Sequence, residues 1–163
     1  MQELGEGDPG EVALENALRK AHVAQQLGTE TELVLGCDTL VALDGTIYGK
    51  PRDERDVRAT LRALSGATHE VLSGLALLGG DAPARTAVVR TTVTFRELGE
   101  GMLDWYLARG EWRGRAGGYA IQEAGAALVR RVEGDYENVV GLPLATLIDL
   151  YPEWVMGASG KTP

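Results

Sequence analysis

The chain has 163 residues, of which 44% are hydrophobic and 25% are charged, a balance that is typical of a globular domain with an apolar core. Its formal net charge of −8 argues against general affinity for nucleic acid or anionic membranes. No apolar run is long enough to cross a bilayer, the polar first residues are unlike a signal peptide, and the single cysteine, Cys37, favours a reducing, cytoplasmic location.

Predicted helices and strands alternate along the first half of the chain. Asp8 before a proline predicts a capped helix over residues 9–27. Small residues recur along one face of this helix, so it can approach a neighbour closely, and Lys20 projects from the same face. A second helix is predicted to begin after Asp53 and to end near Ser65. The predicted strands of this half are residues 32–37, 40–43 and 47–48, with a hairpin turn at 44–45.

The second half continues the alternation. Strands are predicted at residues 70–78, 86–95 and 127–132, helices at 100–109 and 142–150, and a turn at 79–81. Adjacent hairpins within this order predict an α/β fold in which helices flank a mixed, twisted sheet rather than a purely parallel one. Because no linker or repeat interrupts the pattern, we expect a single domain over residues 1–163.

Asp38 and the loop that contains Lys50 are the first candidates for chemistry. Asp38 follows a predicted strand, and Lys50 lies between a glycine and a proline a few residues later. An unpaired carboxylate is costly near the interior, so we expect hydrogen bonds, a cation or a metal at Asp38. A lysine on a fixed loop suits phosphate. The alternative is an aspartate that caps a turn beside a solvated lysine. Cys37, inside the apolar run, is predicted to be a buried core residue.

Lys20 and Gln122 complete the candidate set. Lysines neutralise phosphoryl oxygens, a carboxylate orients water or holds a divalent cation, and the Gln122 amide can bind the edge of a nucleobase. With Asp38 and Lys50, these residues suit a hydrolase that acts on a charged substrate. The alternatives are that Lys20 extends along the surface and that Gln122 bridges backbone groups in its glycine-rich loop.

Other chemistries lack a sequence signal. His22 and His69 are isolated, and no histidine or cysteine cluster has metal-ligand spacing. No phosphate-binding P-loop is present, and the two glycines at 117–118 lack the spacing of a dinucleotide-binding motif. The acid, lysine and amide set therefore remains the basis of a functional prediction.

Six segments occur in an order that covers almost the whole chain. They are Leu18-Arg19-Lys20-Ala21, Gly36-Cys37-Asp38-Thr39, Gly49-Lys50-Pro51-Arg52-Asp53, Leu64-Ser65-Gly66-Ala67-Thr68-His69-Glu70-Val71, Ala116-Gly117-Gly118-Tyr119-Ala120-Ile121-Gln122 and Gly134-Asp135-Tyr136-Glu137-Asn138-Val139-Val140-Gly141-Leu142-Pro143. In these segments the chain resembles the Maf family, the septum-formation-inhibitor-like nucleoside triphosphate pyrophosphatases. The order and number of the segments make the resemblance specific.

The resemblance implies an inosine-triphosphatase-like α/β fold and the hydrolysis of a nucleoside triphosphate to the monophosphate and pyrophosphate. It implies a divalent cation, Mg²⁺ or Mn²⁺, and it places Asp38 at the position of the family's proposed proton acceptor and of a metal ligand. Lys20 and Lys50 match its phosphate-contacting lysines. Thr39 and Gln122 match the subfamily that prefers dTTP and UTP. The expected substrates are therefore dTTP and UTP, together with modified pyrimidine nucleotides. The sister subfamily, which acts on 7-methyl-GTP, carries Gln after the aspartate and an acid near the Gln122 position.

Three departures from the family pattern qualify the expectation. The family's opening strand and Ser-Pro-Arg-Arg phosphate loop are not in this sequence, so we expect the domain to be incomplete at its N-terminus. Gly114 and Arg115 stand where the family has Asp-Lys; Arg115 can still contact phosphate, although its planar fork differs from an ammonium. Ala120 replaces a usual glycine, and Glu123 follows Gln122 where glycine is common.

Two functions therefore remain open. The leading one is an enzyme, because Asp38, Lys20, Lys50 and Gln122 are all present and a purely structural descendant has no physical need for all four. The other is a catalytically impaired nucleotide-binding or regulatory protein, which the missing arginine loop favours. In either case the expected partner is a nucleoside triphosphate and not nucleic acid or a membrane, and both a monomer and a homodimer are compatible with the sequence.

Overall fold

The computed structural model describes residues 7–28, 33–79 and 83–156. Its strands are β1 (Val34–Leu43), β2 (Thr46–Tyr48), β3 (Thr68–Leu78), β4 (Arg85–Phe95) and β5 (Val129–Glu133). They form one sheet in the order β2-β1-β3-β4-β5, and every described pairing is antiparallel. The α-helices in the described ranges are α1 (Pro9–Leu27), α2 (Glu54–Leu64), α3 (Glu100–Leu107), α4 (Tyr136–Val140), α5 (Leu144–Leu150) and α6 (Glu153–Met156), and 3-10 helices cover Ala116–Gly118 and Ala124–Leu128.

Helix α1 covers one face of the sheet. The Asp8 carboxylate accepts hydrogen bonds from the backbone N–H groups of Gly10 and Glu11, and Pro9 takes the first helical position, where an N–H group is not needed. The face that α1 turns towards β1 and β3 consists of small residues, which let the helix axis lie close to the strands. The apolar residues buried at this interface are Val12, Ala13, Ala17, Ala21, Leu40, Ala76 and Leu78.

The larger core lies on the opposite face of the sheet. Val57, Leu61 and Leu64 form the buried side of α2, as their helical spacing predicts. They pack with α3 against side chains that alternate inward from the strands, including Val71 and Phe95. Burial of apolar side chains on both faces is the dominant stabilising term for such a layered fold.

The α/β fold with flanking helices is confirmed, and the sheet differs from the expected mixture in its strand directions. In the described ranges β1, β3, β4 and β5 follow one another as antiparallel neighbours. The two strand segments predicted on either side of Asp38 are one strand, because β1 pairs without interruption with β3 from Val34 to Ala42. Asp38 therefore lies within β1 and does not cap a turn at its end.

Most other elements lie within a few residues of their predicted bounds. The Asp44 and Gly45 turn has positive φ angles of 50° and 79°, as the hairpin prediction requires. Helices α4 and α6 are additions that the sequence pattern did not indicate. The first residue of the strand predicted at 32–37 and residues 80–81 of the predicted turn lie outside the described residues. In the three described ranges, no helix is both long and apolar enough to span a bilayer.

Candidate active site

A cleft of about 170 Å³ opens at the β1 side of the sheet. In the described part of the chain, β2 pairs with β1 only at residues 41–43, and the cleft reaches the β1 residues just before them. The loop that follows β2, the segment at 114–116 and the end of α4 form its other walls. The lining residues are Lys20, Cys37, Asp38, Thr39, Val41, Lys50, Val71, Gly114, Arg115, Ala116, Tyr119, Val139, Val140 and Gly141.

Asp38 is a buried carboxylate that two side chains of α1 hold from the same side. Its own side chain is only 4% exposed. The Lys20 ammonium forms an ion pair and hydrogen bond with Oδ1, and the Asn16 amide Nδ2 donates a hydrogen bond of 3.1 Å to Oδ2. The prediction that hydrogen bonds or a cation hold Asp38 is confirmed, and both carboxylate oxygens have a named donor.

Two glycines in the sheet explain why α1 comes close enough to reach Asp38. A β-carbon on Gly36 would lie 2.1 Å from the Ala17 carbonyl oxygen, and one on Gly74 would lie 2.4 Å from that of Ala13. Gly74 is also the residue of β3 that pairs with Asp38. The helix backbone therefore packs directly on the strand backbone, and the side chains one turn apart on α1 meet the carboxylate.

Lys50 and Arg115 approach the cleft from two loops that are tied to each other. The Gly117 N–H group donates a hydrogen bond of 3.1 Å to the Gly49 carbonyl oxygen. Gly117 has a positive φ of 66°, and a β-carbon there would lie 2.8 Å from Val41, so glycine is required for this close approach. Both loops thus present a cation at the mouth of the cleft near Lys20.

Arg115 also lies 3.6 Å from the Glu123 carboxylate, with both side chains more than two-fifths exposed. An exposed pair of this kind contributes little to stability. The guanidinium can therefore exchange Glu123 for a phosphate at small cost, and the contact of Arg115 with substrate stays a prediction.

Cys37 and Thr39 point to the face of β1 opposite Asp38 and meet the end of α4. The Cys37 thiol lies 3.3 Å and the Thr39 hydroxyl 3.4 Å from the Gly141 carbonyl oxygen, and Thr39 Oγ1 is 2.7 Å from Ser73 Oγ. Cys37 is half-buried and lines the cleft, so it is not the fully buried core residue that its apolar run predicts. Burial raises the pKa of the Cys37 thiol above its usual value, which favours the protonated donor over a reactive thiolate.

The wall formed by residues 139–141 is anchored to the sheet through the start of α4. Asp135 caps this helix, and its backbone exchanges two hydrogen bonds with the Thr91 hydroxyl, at 3.0 and 3.1 Å. The Asn138 side chain is fully buried and donates to the Val71 carbonyl oxygen at 3.1 Å and to Thr91 Oγ1 at 3.0 Å. These bonds between distant parts of the chain hold a helix too short to be stable alone.

Tyr119 supplies an aromatic wall, and His69 fixes its position. The Tyr119 hydroxyl and His69 Nε2 are 2.9 Å apart, and the two rings pack edge to face with each other and with Phe95. Burial lowers the pKa of His69 to about 4, so the imidazole is neutral at pH 7. His69 is therefore a core residue, and His22 is exposed on α1.

The structure brings five of the six predicted site residues into the lining of one cleft. Lys20, Asp38, Thr39, Lys50 and Arg115 all belong to it, although the Thr39 hydroxyl is engaged by Ser73 and Gly141. Gln122 does not line the cleft: it is exposed in the turn at residues 121–123, beside the buried Ile121. Sequence reasoning missed Asn16 and Tyr119 as site residues; the helical spacing of Asn16 and Lys20 was the one available signal for the first.

The arrangement suits a substrate with several phosphates. Within the described ranges, the cleft lining combines one buried carboxylate with three cations, which can neutralise phosphoryl oxygens while the acid acts on water or a metal ion. Among the described residues, no group of three or more His, Cys, Asp or Glu side chains gathers to hold a metal. Magnesium often uses one or two carboxylates together with substrate oxygens, so Asp38 fits an ion that arrives with the nucleotide.

Comparisons with known proteins identify the family of this chain. A family model described as Maf-like protein matches residues 2–154. A dTTP/UTP pyrophosphatase of Pyrococcus furiosus is 45% identical over 148 residues, which cover 90% of this chain and 76% of that protein. Proteins of the same name from an Anaeromyxobacter species and Bacillus cytotoxicus are 48% and 42% identical, over 87% and 93% of this chain and 71% and 78% of their own lengths. The chain belongs to the Maf family.

Proposed function

We propose that this protein is a nucleoside triphosphate pyrophosphatase that hydrolyses dTTP and UTP to the monophosphate and pyrophosphate. The observation that carries the proposal is the charge pattern of the cleft. Among the described residues that line it, the acidic one, Asp38, is buried, and the other charged ones are the cations Lys20, Lys50 and Arg115. The relatives named as dTTP/UTP pyrophosphatases support the reaction and the pyrimidine substrates.

In the proposed reaction, water attacks the α-phosphorus, and the bond from this atom to the oxygen that bridges the α- and β-phosphates breaks. Pyrophosphate leaves with the bonding electrons, and Asp38 accepts the proton of the attacking water. The three cations offset the roughly four negative charges of the triphosphate, because phosphoryl transfer depends mainly on positioning and charge stabilisation. Lys20 contributes in two ways, since its ammonium also pairs with Asp38.

The proposed reaction also requires a divalent cation, Mg²⁺ or Mn²⁺. Asp38 and the substrate oxygens would hold it, and it would supply further neutralisation of the phosphate charge. With a net charge of −8 on the protein, this contribution matters more than it would in a basic chain.

In this proposal the apolar and aromatic part of the cleft, which Thr39 also lines, selects the base of the nucleotide. Val41, Val71 and Tyr119 line this part on the face of β1 to which Thr39 points. Gln122 remains a proposed contact to the base that requires its turn to approach the bound nucleotide. A fall in the preference for dTTP over purine triphosphates in Gln122→Ala would support that contact, whereas an unchanged preference would remove Gln122 from the site.

The decisive experiment measures the products. Incubation of the protein with dTTP or UTP and Mg²⁺ is expected to release pyrophosphate and the monophosphate in equal amounts. Asp38→Asn, which keeps the side-chain shape, is expected to lower kcat by about a hundredfold or more while the fold is retained, as circular dichroism would show. Binding of dTTP without turnover in the parent protein, or release of orthophosphate alone, would contradict the proposal.

A cytoplasmic location completes the proposal and follows from the nucleotide substrate and the single unpaired cysteine. Light scattering at the protein concentration of the assay measures the molar mass and so distinguishes a monomer from a homodimer. An activity per chain that is constant across the range in which the mass changes would show that the dimer is not required.

A further inference from the structure

Asn16 is a buried polar residue that the proposed reaction does not yet use. It is 1% exposed, and its Nδ2 donates to Oδ2 of Asp38 at 3.1 Å. The buried positions that flank it on α1 are apolar, namely Val12, Ala13 and Ala17. A buried amide is costly unless its hydrogen bonds are satisfied, and an apolar residue would serve packing at this interface without that cost. The contact with Asp38 is one physical reason for an asparagine here.

The two donors on Asp38 differ in a way that matters when substrate binds. Lys20 is 31% exposed and lines the cleft, so its ammonium can move from Oδ1 towards a phosphate. Asn16 is neutral and buried, so a phosphate does not attract it away from Oδ2. The terminal torsion of an aspartate side chain is soft, and a donor that stays in place is needed to fix the carboxylate plane.

We propose that Asn16 is a positioning residue that fixes the orientation of the Asp38 carboxylate while Lys20 engages the substrate. The inference rests on the proposed function, because Asp38 must act in catalysis for its orientation to matter. Asn16 does not touch the substrate in this assignment. Its effect should therefore appear in kcat and depend entirely on the presence of the Asp38 carboxylate.

The test is a double-mutant cycle with dTTP as the substrate. Asn16→Ala is expected to lower kcat roughly ten- to a hundredfold, with KM changed by less than about threefold. In the Asp38→Asn background the same substitution is expected to have no further effect on kcat, because its target is already lost. A purely structural role would lower kcat by the same factor in both backgrounds, and that additivity would overturn the inference.

Two further variants separate positioning from packing. Leu103→Ala removes a fully buried side chain from the larger core on the opposite face of the sheet, outside the cleft lining, and it is expected to lower the melting temperature but to leave kcat near that of the parent. Asn16→Leu replaces the amide with an apolar group of similar size, and it should reproduce the kcat loss of Asn16→Ala. If neither Asn16 variant folds, Asn16 is a folding residue and the inference is wrong.

The outcomes for this inference and for the proposed function are distinct. If the parent releases no pyrophosphate from dTTP, the proposed function fails, and the inference fails with it. If the parent is active and Asp38→Asn lowers kcat as expected, but both Asn16 variants keep the kcat of the parent, only the positioning role is overturned.

Discussion

Gly36 of β1 faces the backbone of α1 so closely that a β-carbon on it would lie 2.1 Å from the carbonyl oxygen of Ala17. The same added β-carbon would lie 2.8 Å from the β-carbon of Ala21 and 2.9 Å from the backbone nitrogen of Ala21. Real β-carbons do not make such contacts with backbone atoms, so any larger residue must push the helix away from the sheet. The position of α1 in turn determines whether Lys20 and Asn16 reach Asp38, so packing and chemistry depend on the same contact.

Gly36→Ala is therefore expected to lower both stability and activity. Overpacking of a close interface costs about 1–3 kcal/mol, and displacement of α1 separates Lys20 from Asp38. Urea denaturation and the kcat for dTTP measure the two effects. The control is Gly101→Ala in α3, where no atom lies within 4 Å of the added carbon and where alanine favours the helix. Equal behaviour of the two variants would show that the α1 contact is not tight.

Local sequence signals located the elements that local chemistry defines. The caps at Asp8 and Asp53 and the turn at Asp44 involve neighbouring residues, and the structure confirms all three. Helix α4 was not predicted, because it is five residues long and depends on hydrogen bonds from Asn138 to strands far away in sequence. Strand direction depends likewise on pairing between distant segments, so alternation of elements could not show that the sheet is antiparallel.

The same contrast between local signals and contacts of distant residues applies to the candidate site. Asp38 and Lys50 stand out in sequence because a carboxylate in an apolar run and a lysine in a glycine–proline loop are locally unusual. Asn16 contacts a residue 22 positions away, and only its helical spacing from Lys20 hints at this contact. Tyr119 is held by a residue 50 positions away, which no local pattern indicates. Gln122 was predicted from the chemistry of its amide and from its place in a family motif, and neither fixes the direction in which an exposed turn presents its side chain.

Lys50→Ala is expected to raise KM for dTTP and to lower kcat together. The ammonium meets charge that is present in both the bound triphosphate and the transition state, so its loss affects both parameters. Arg52→Ala is a matched control two residues away: Arg52 is 85% exposed and pairs with Asp56, outside the cleft lining. Steady-state kinetics of both variants in the same salt measure the difference. Parent-like kinetics in Lys50→Ala would make Lys50 a solvated loop residue.

Cys37→Ala is expected to weaken nucleotide binding by loosening the wall at Gly141. The variant removes the thiol donor to the Gly141 carbonyl oxygen, a bond worth at most about 1 kcal/mol, so KM should rise by a factor of roughly two to five. Cys37→Ser keeps a donor of similar size and should lie closer to the parent. Thr68→Val is the control, because it removes a hydroxyl bonded to Thr94 on exposed strand surface. A larger KM change in Cys37→Ser than in Cys37→Ala would contradict this role.

The buried His69 predicts a loss of stability in mild acid. Burial lowers its pKa to about 4 in the folded protein, from an ordinary value of 6.5, so the unfolded chain binds a proton first as the pH falls. Above pH 6.5 the neutral His69 imposes no penalty on the folded state. Between pH 6.5 and 4 the unfolded chain takes up a proton that the folded protein does not, so the free energy of unfolding falls progressively. By linkage, the loss amounts to roughly 2 kcal/mol between neutral pH and pH 5.

Urea denaturation of the parent and of His69→Gln at pH 7, 6 and 5 checks this expectation. Glutamine does not titrate and can still hydrogen-bond the Tyr119 hydroxyl, so the variant should be less stable at pH 7 but should lose less stability towards pH 5. The control is His22→Gln, because His22 is exposed on α1 and should leave the pH dependence of the parent unchanged. Parallel stability curves for the parent and His69→Gln would contradict the prediction, because they would mean that the folded protein protonates His69 as easily as the unfolded chain does.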